Sequence, residues 1–365
     1  MHLTKVDKIQ VSNFRNLNSQ VISFGKHINC IFGPNGNGKT NILEAVYFLC
    51  KRKSFRKKAT YPQFLNIDGV EHKIIINGVF QDQDGSSQQI TCTLDEDQTN
   101  WFLNSKPIRK RTILNCVFIN PFDSYQFYNS SSFRRNLIDE FIGDLDENYA
   151  ESLSRYNKYL KQRNKLLQVK PYEFQSQIKA LDQSIVKDLV LLTDKRIEFV
   201  DLLNSQLGKT YKILFSEEID LKIRIEHSYP NMDAEKILEI INSKLNRDID
   251  AGLSLSGIHK DDTMLMFNGL SSADYCSLGQ QKMAFLSMFF SFIELFGYKF
   301  ETYPLVLLDD VSGELDSNRW GRLVDFLNER KFQVLITTAN EKFRESLENI
   351  EGANKFYVHQ GTIEI

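Results

Sequence analysis

GPNGNGKT, residues Gly33 to Thr40, matches the pattern G-x-x-x-x-G-K-[ST] and stands between the apolar run HINCIF (27–32) and a stretch where Ile42, Leu43, Val46 and Leu49 recur at helical spacing. A strand, a glycine-rich turn and a helix in that order make a phosphate loop. Within Gly33, Pro34, Asn35, Gly36, Asn37 and Gly38, the glycines let backbone N–H groups turn inward around phosphate oxygens. Lys39 adds a cation for the outer phosphates, and Thr40 a hydroxyl for Mg2+. The N-terminus of the following helix contributes about half a positive charge.

Such a loop needs a carboxylate at the end of a buried strand. PLVLLDDVSGELD (304–316) supplies one, because Leu305, Val306, Leu307 and Leu308 suit a parallel strand buried on both faces. Asp309 is then the expected Mg2+ ligand beside Thr40, directly or through water. Asp310 is expected to orient or deprotonate the attacking water, which makes it and Lys39 the catalytic candidates.

Around these two motifs the chain reads as α/β. Strands come first, with KIQVSNF alternating before the phosphate loop; from about residue 70 to 120 further strands broken by DQDGSS and DEDQTN suggest an antiparallel meander. Turn residues then almost vanish. Tyr149, Leu153, Tyr156 and Leu160 mark one helix, and Ile178, Leu181, Ile185, Leu189, Leu192, Phe199 and Leu203 another, with Pro171 between them. The expected organisation is a head from 1–130 and 211–365 interrupted by a helical arm at 131–210.

Composition excludes several classes. With 365 residues, 42% hydrophobic and 25% charged, the chain is that of an ordinary globular protein. No run of about 18 apolar residues is present, and MHLTKVDKIQ lacks the apolar core of a signal peptide, so the expected location is the cytoplasm. Five scattered cysteines without a C-x-x-C pair read as reduced and buried rather than as a zinc site. A net charge of -2 leaves nucleic-acid binding to local basic patches.

DYCSLGQQKMA (274–284) places polar residues at the mouth of a very apolar helix. Ser277 is a candidate N-cap, and the helix start with Gly279 is also a candidate second phosphate contact.

The phosphate loop, the Asp309-Asp310 strand end, the SGELD loop and CSLGQ occur in the chain order of ABC-class ATPases. The chain as a whole resembles the RecF family of bacterial recombination-repair ATPases, relatives of the SMC heads. VSNFRNL (11–17), FGPNGNGKTNILEAVYFL (32–49), SFR (54–56), SFRRNLID (132–139), RYNKYLKQRNKLL (155–167), SGIHKDD (256–262), YCSLGQQK (275–282) and LLDDVSGELD (307–316) carry that resemblance. It implies an ABC/SMC-type head with a mixed sheet and an inserted helical arm. It also implies ATP and Mg2+ as cofactors, an ATP-dependent homodimer on single-stranded or gapped DNA, and slow DNA-stimulated hydrolysis. Support of RecA loading and the SOS response with RecO- and RecR-type mediators follows from the same resemblance. Ser277, Gly279 and Gln280 would meet the partner subunit's γ-phosphate, and Arg15 would reach the nucleotide phosphates, as an arginine at this place does in related heads.

Some positions depart from the wider ABC pattern. Cys276 and Leu278 stand where Leu and Gly are usual, Asp310 where Glu is usual, and Ala339-Asn340 where transporters have a switch His and Asp. The last departure argues against a transporter subunit; an ATP-binding clamp with negligible hydrolysis remains the alternative. In FINPFDSYQF (118–127), Gln126 is the candidate Q-loop glutamine. Candidate DNA contacts are Lys51, Arg52, Arg56 and Lys57, then Arg109 and Arg111, then Arg155 and Lys158 on the first arm helix with Lys161, Arg163 and Lys165. Arg134 and Arg135 are expected to brace Asp139 or a nucleotide-side loop. His259 and Lys260 are expected to order the loop ahead of CSLGQ, or to approach DNA or the partner subunit.

Overall fold

The computed structural model of the chain describes residues 3–56, 59–66, 69, 72–82, 84–108, 115–311, 315–330 and 332–364. Its packing divides into two units, Met1–Ser124 with Lys212–Glu217 and Phe289–Ile365, and Tyr125–Tyr211 with Glu218–Met288. The first unit starts with β1 (Leu3–Ser12), β2 (Val21–Ser23), β3 (Ile28–Phe32), α1 (Lys39–Lys51) and α2 (Tyr61–Phe64). It continues through β4 (Ile74–Asp82), β5 (Ser87–Leu94), β6 (Thr99–Leu103), β7 (Lys106–Pro107) and β8 (Cys116–Ile119), and the chain passes into the second unit within α3 (Pro121–Asn129). The second unit holds α4 (Ser131–Leu145), α5 (Glu147–Val169), α6 (Phe174–Phe215), β9 (Leu221–Glu226), α7 (Ala234–Ala251), β10 (Asp262–Phe267), β11 (Leu270–Ser271) and α8 (Ser272–Tyr275). After α9 (Leu278–Phe300), the first unit is completed by β12 (Leu305–Asp309), α10 (Ser317–Glu329), β13 (Val334–Thr338), α11 (Glu341–Glu348), β14 (Asn354–His359) and β15 (Thr362–Glu364).

Two sheets in the first unit follow from two burial patterns. β4 alternates between buried and half-buried residues, as a strand with one face on the core does, and it lies in the antiparallel order β2-β1-β4-β5-β6-β7. β3, β12 and β13 are buried at every position, and they form the parallel centre of β15-β14-β3-β13-β12-β8. α1 packs on strands of both sheets. Ile42, Leu43, Ala45, Val46 and Leu49 are 0% exposed, so this helix is buried nearly all round, and it is the element that the two sheets share as a core.

Parallel pairing sets Asp309 beside Thr337 and Thr338 beside Phe32, so β3, β12 and β13 end together. In open α/β sheets the carboxyl ends of the strands are where ligands bind. Gly33, which leaves β3, has φ 144, and a Cβ there would fall 2.3 Å from the Val358 carbonyl oxygen. No other residue fits without moving β14.

In the second unit, α5 and α6 are the two arm helices whose spacing the sequence shows. Tyr149, Tyr156 and Leu167 of α5, and Ile178, Ile185, Leu189, Leu192, Phe199, Leu203 and Leu207 of α6, are all buried. Residues 218–288, expected with the head, group with these helices instead. The polar ties give the reason. Asn204 of α6 bonds the backbone of Ile223 through both ends of its amide, Arg163 of α5 bonds Asp248 of α7 at 2.7 Å, and Arg196 of α6 bonds Asp261 at 2.8 Å.

α9 is long and apolar enough to cross a membrane by composition, but 72% of its apolar window is buried inside the protein. A core helix has the same composition. Cys30, Cys50, Cys92 and Cys116 are buried and reduced, and Cys276 is half-buried.

Candidate nucleotide-binding site

The phosphate loop bridges β3 and α1. Gly36 and Gly38 have φ of 80 and 111, and Gly38 is the N-cap of α1 with no side-chain cap. The first turn of α1 therefore presents backbone N–H groups where an anion is favoured. The outer side of the loop is held by asparagines: Asn16 Nδ2 donates to the Gly36 carbonyl at 2.9 Å, and Asn37 Oδ1 accepts from the Gln360 N–H at 2.7 Å. Lys39 Nζ donates to the carbonyls of Gly33 at 2.7 Å and Pro34 at 2.9 Å. Burial lowers the pKa of Lys39, while Asp310 and Asp309 oppose that shift.

Asn35, Gly36, Gly38, Lys39, Thr40, Asn41, Arg56, Asp309, Asp310 and Thr337 line a cavity of about 230 Å³. Asp309 is its best-held carboxylate. It accepts from Thr40 Oγ1 at 2.9 Å, Thr337 Oγ1 at 2.8 Å and Asn120 Nδ2 at 3.2 Å. Burial raises the pKa of Asp309, with the two threonine hydroxyls pulling it down and Asp310 pushing it up. Asp310 adopts the left-handed region, φ 50, and its N–H bonds Thr337 Oγ1 at 3.0 Å. Thr337 thus ties both acids to the end of β13.

Thr40 and Asp309 present hard oxygen donors side by side, as Mg2+ requires. Among the described residues no group of three His, Cys, Asp or Glu could hold a metal. That composition fits an ion bound by one carboxylate, one hydroxyl and substrate phosphates rather than by an all-protein cage.

Several expected residues fall elsewhere. Arg15 does not line the cavity: its Nε and Nη2 bond Glu44 at 2.9 and 2.8 Å, and Nη1 bonds the Gln63 carbonyl at 2.5 Å. Arg56, read from the sequence as a DNA contact, lines the cavity in its place. From FINPFDSYQF, Asn120 reaches Asp309. Asn41, Asn120 and Thr337 carry no motif in the sequence; their places follow from helix phase and strand register.

Ser277 precedes α9, and Gly279 and Gln280 lie in its first turn, within the second unit. Ser277 and Gln280 cap each other, the Gln280 N–H donating to Ser277 Oγ at 3.3 Å and the Ser277 N–H to Gln280 Oε1 at 3.0 Å. A Cβ on Gly279 would meet nothing closer than Ser277 Oγ at 4.0 Å, so packing within the described chain does not demand a glycine. Gln281 braces the preceding turn by donating to the carbonyls of Ser272, Ala273 and Cys276.

The basic clusters separate. Lys57, Arg109, Arg111 and residues 312–314 of the SGELD loop lie outside the described residues. Arg52 lies over the Trp101 ring at 5.0 Å, Lys51 is half-buried, and Lys158 is exposed. Arg155 bonds Asp188 at 2.8 Å with its side chain 51% exposed. Arg163, grouped with them on α5, is buried between Asp182 and Asp248, at 2.7 Å from each, which withdraws it from any DNA surface. Arg134 pairs with Asp262 at 2.7 Å, whereas Asp139 is held by Arg196 at 2.7 Å. His259 orders its loop, between Tyr156 and the Ser254 carbonyl.

The family model for the RecF/RecN/SMC N terminal domain matches residues 5–363. A DNA replication and repair protein RecF from Lachnospira eligens is 31% identical, over 94% of this chain and 95% of that protein. A solved structure of the recombination mediator protein RecF with ATP superposes with a TM-score of 0.87 at 26% identity, covering 100% of this chain and 98% of that one. The Smc head domain from Pyrococcus furiosus shares the fold, with a TM-score of 0.60 at 14% identity over 99% and 96% of the two chains. A phosphate loop and a paired-acid strand end meeting at one cavity, on a chain matched nearly end to end, place this protein in the RecF/RecN/SMC family, with the RecF DNA replication and repair proteins.

Proposed function

We propose that this chain is an ATP-driven, DNA-binding switch of recombinational repair and replication-gap processing, cytoplasmic and dimeric when bound to ATP. The observation that carries the reading is the pair Thr40 Oγ1 and Asp309 Oδ1, 2.9 Å apart at the mouth of the phosphate loop. Gly36, Gly38 and Lys39 would hold the phosphates, and Thr40 with Asp309 would hold Mg2+. When bound, that ion supplies charge neutralisation at the outer phosphates. Asp310 would orient and deprotonate the attacking water, and Arg56 would stabilise charge on the outer phosphate.

The segment CSLGQ (276–280), the signature segment of the ABC-class order, would act on the nucleotide of a second copy. The Ser277 hydroxyl accepts the Gln280 N–H with a lone pair, so its own O–H can be donated to a phosphate oxygen. Gly279, which nothing within the described chain requires, leaves room for a backbone to approach. One two-fold interface then contains two shared sites, and loss of the γ-phosphate loosens it. DNA, and RecO- and RecR-type mediators that help load RecA, are the proposed partners, by analogy with the RecF relatives.

Turnover measured with and without gapped DNA tests the enzyme reading. Slow hydrolysis that DNA stimulates is the expected result. ATP binding without detectable turnover on either substrate would favour a clamp, for which the short Asp310 side chain in its left-handed conformation is the one supporting observation.

A further inference from the structure

Behind the cavity lies a carboxylate that the reading above leaves without a task. Glu44 follows Thr40 by one turn of α1 and is 0% exposed, a place where a charge is costly unless it is fully paired. It is fully paired. Oε2 accepts from Arg15 Nε at 2.9 Å and Arg56 Nη1 at 2.6 Å, and Oε1 accepts from Arg15 Nη2 at 2.8 Å and the Ser54 hydroxyl at 2.5 Å.

One carboxylate thus serves two guanidiniums, one more cation than charge balance asks. The two arginines are not equivalent. Arg15 is an anchor: its remaining nitrogen, Nη1, donates to the Gln63 carbonyl, its Cζ lies 5.0 Å from the centre of the Phe64 ring, and its side chain is 15% exposed. Arg56 is 36% exposed, its Nη2 bonds Asn41 Oδ1 at 2.7 Å, and its side chain enters the cavity that Asp309 and Asp310 line. Ser54 completes the brace, since its Oγ also accepts the Arg56 backbone N–H at 2.9 Å. A pair serving stability alone would need one arginine, whereas the second here carries the excess positive charge to the acidic side of the cavity.

We propose that Glu44 is a positioning residue which holds Arg56 in the phosphate cavity and so sets the preference for a nucleoside triphosphate over a diphosphate. The proposal rests on the reading that the cavity takes nucleotide phosphates with Arg56 at the outer one. Without Glu44, two guanidiniums converge with no carboxylate between them, and Arg56, the more exposed, is the one free to leave.

The test is equilibrium titration of the full chain with fluorescent ATP and ADP analogues in Mg2+. Glu44→Gln is expected to weaken ATP binding about tenfold, the size of one charge-assisted hydrogen bond, and to leave ADP binding unchanged. Arg56→Gln is expected to do the same, and the double variant to bind no more weakly than Arg56→Gln alone. Equal losses for ATP and ADP in Glu44→Gln, or additive losses in the double variant, overturn the proposal. Arg15→Gln keeps the Glu44–Arg56 pair and is expected to keep the ATP preference; losing it overturns the proposal even if Glu44→Gln does not fold. Lys39→Met separates the two levels. If it binds ATP normally, the nucleotide site itself is misread; if it loses binding while Glu44→Gln keeps the full ATP preference, only the role of Glu44 fails.

Discussion

Asp309 shows how much of the chemistry rests on one buried side chain. Its charge is disfavoured by burial and sustained by the hydroxyls of Thr40 and Thr337. Thr337 is 0% exposed and its hydroxyl also takes the Asp310 N–H, so it orients both acids. Thr337→Val keeps the shape and removes the donor, at a cost of about 1–3 kcal/mol for a buried carboxylate losing a partner. Steady-state turnover is expected to fall about tenfold, with the chain still folded by circular dichroism; unchanged turnover would show that Asp309 needs no such support. Lys39→Met is expected to lose ATP affinity outright, and an unaltered titration would count against the phosphate-loop assignment. At this scale the sequence was legible wherever function sits in a contiguous pattern. Gly33 to Thr40 and Asp309 could be placed at the ends of β3 and β12, because a strand running into a glycine-rich turn and an apolar run ending in an acid are local patterns. Arg56, Asn120 and Thr337 could not, because a polar residue at a strand or helix end acquires its role only from the neighbours that register brings to it.

At the scale of elements, the arm helices are held by two buried arginines rather than by apolar packing alone. Arg163 joins α5 to α6 and α7 through Asp182 and Asp248, and burial opposes its charge while the two carboxylates raise its pKa. Removing one partner of such a group leaves an unpaired buried charge, so Arg163→Met is expected to cost about 3–5 kcal/mol. Hydrogen exchange in α5 and α7 would register the loss; unchanged protection would mean that the network is dispensable. His259 gives this unit a pH dependence. Burial, with Lys260 and Arg135, lowers its pKa below the ordinary 6.5, against the opposing Ser254 carbonyl and Asp261. Its Nδ1 lies 2.6 Å from the Tyr156 hydroxyl and Nε2 3.1 Å from the Ser254 carbonyl, an arrangement satisfied by the neutral ring with its proton on Nε2. The unfolded chain binds that proton more readily, so stability rises with pH between the folded value and 6.5 and is lost on acidification below it. Thermal melts of wild type and His259→Gln from pH 7.5 to 5.5 should converge as pH falls, and parallel curves would exclude His259 as the source. Helical periodicity made α5 and α6 legible. The same periodicity hid Arg163, which in sequence is one of five basic residues on a helix and in the fold faces inward.

At the scale of the molecule, strand alternation and the βα rhythm were sufficient to read the class of each sheet, since β3, β12 and β13 are mostly apolar and buried at every position, and β4 alternates. They were not sufficient to read which unit residues 218–288 join, because Asn204, Arg163 and Arg196 decide that through partners far away in sequence. The signature segment poses the corresponding question for the assembly. Ser277 and Gln280 cap one another, and Tyr275 and Leu278 beside them are 69% and 73% exposed. If a second copy completes each site, ATP must create the dimer and Ser277 must be needed for it. Sedimentation velocity with Mg-ATP and with Mg-ADP, on wild type and Ser277→Arg, tests this most directly. The expected result is a dimer for wild type with ATP only, and a monomer for Ser277→Arg that still binds ATP; an ATP-dependent dimer of Ser277→Arg would contradict the shared site.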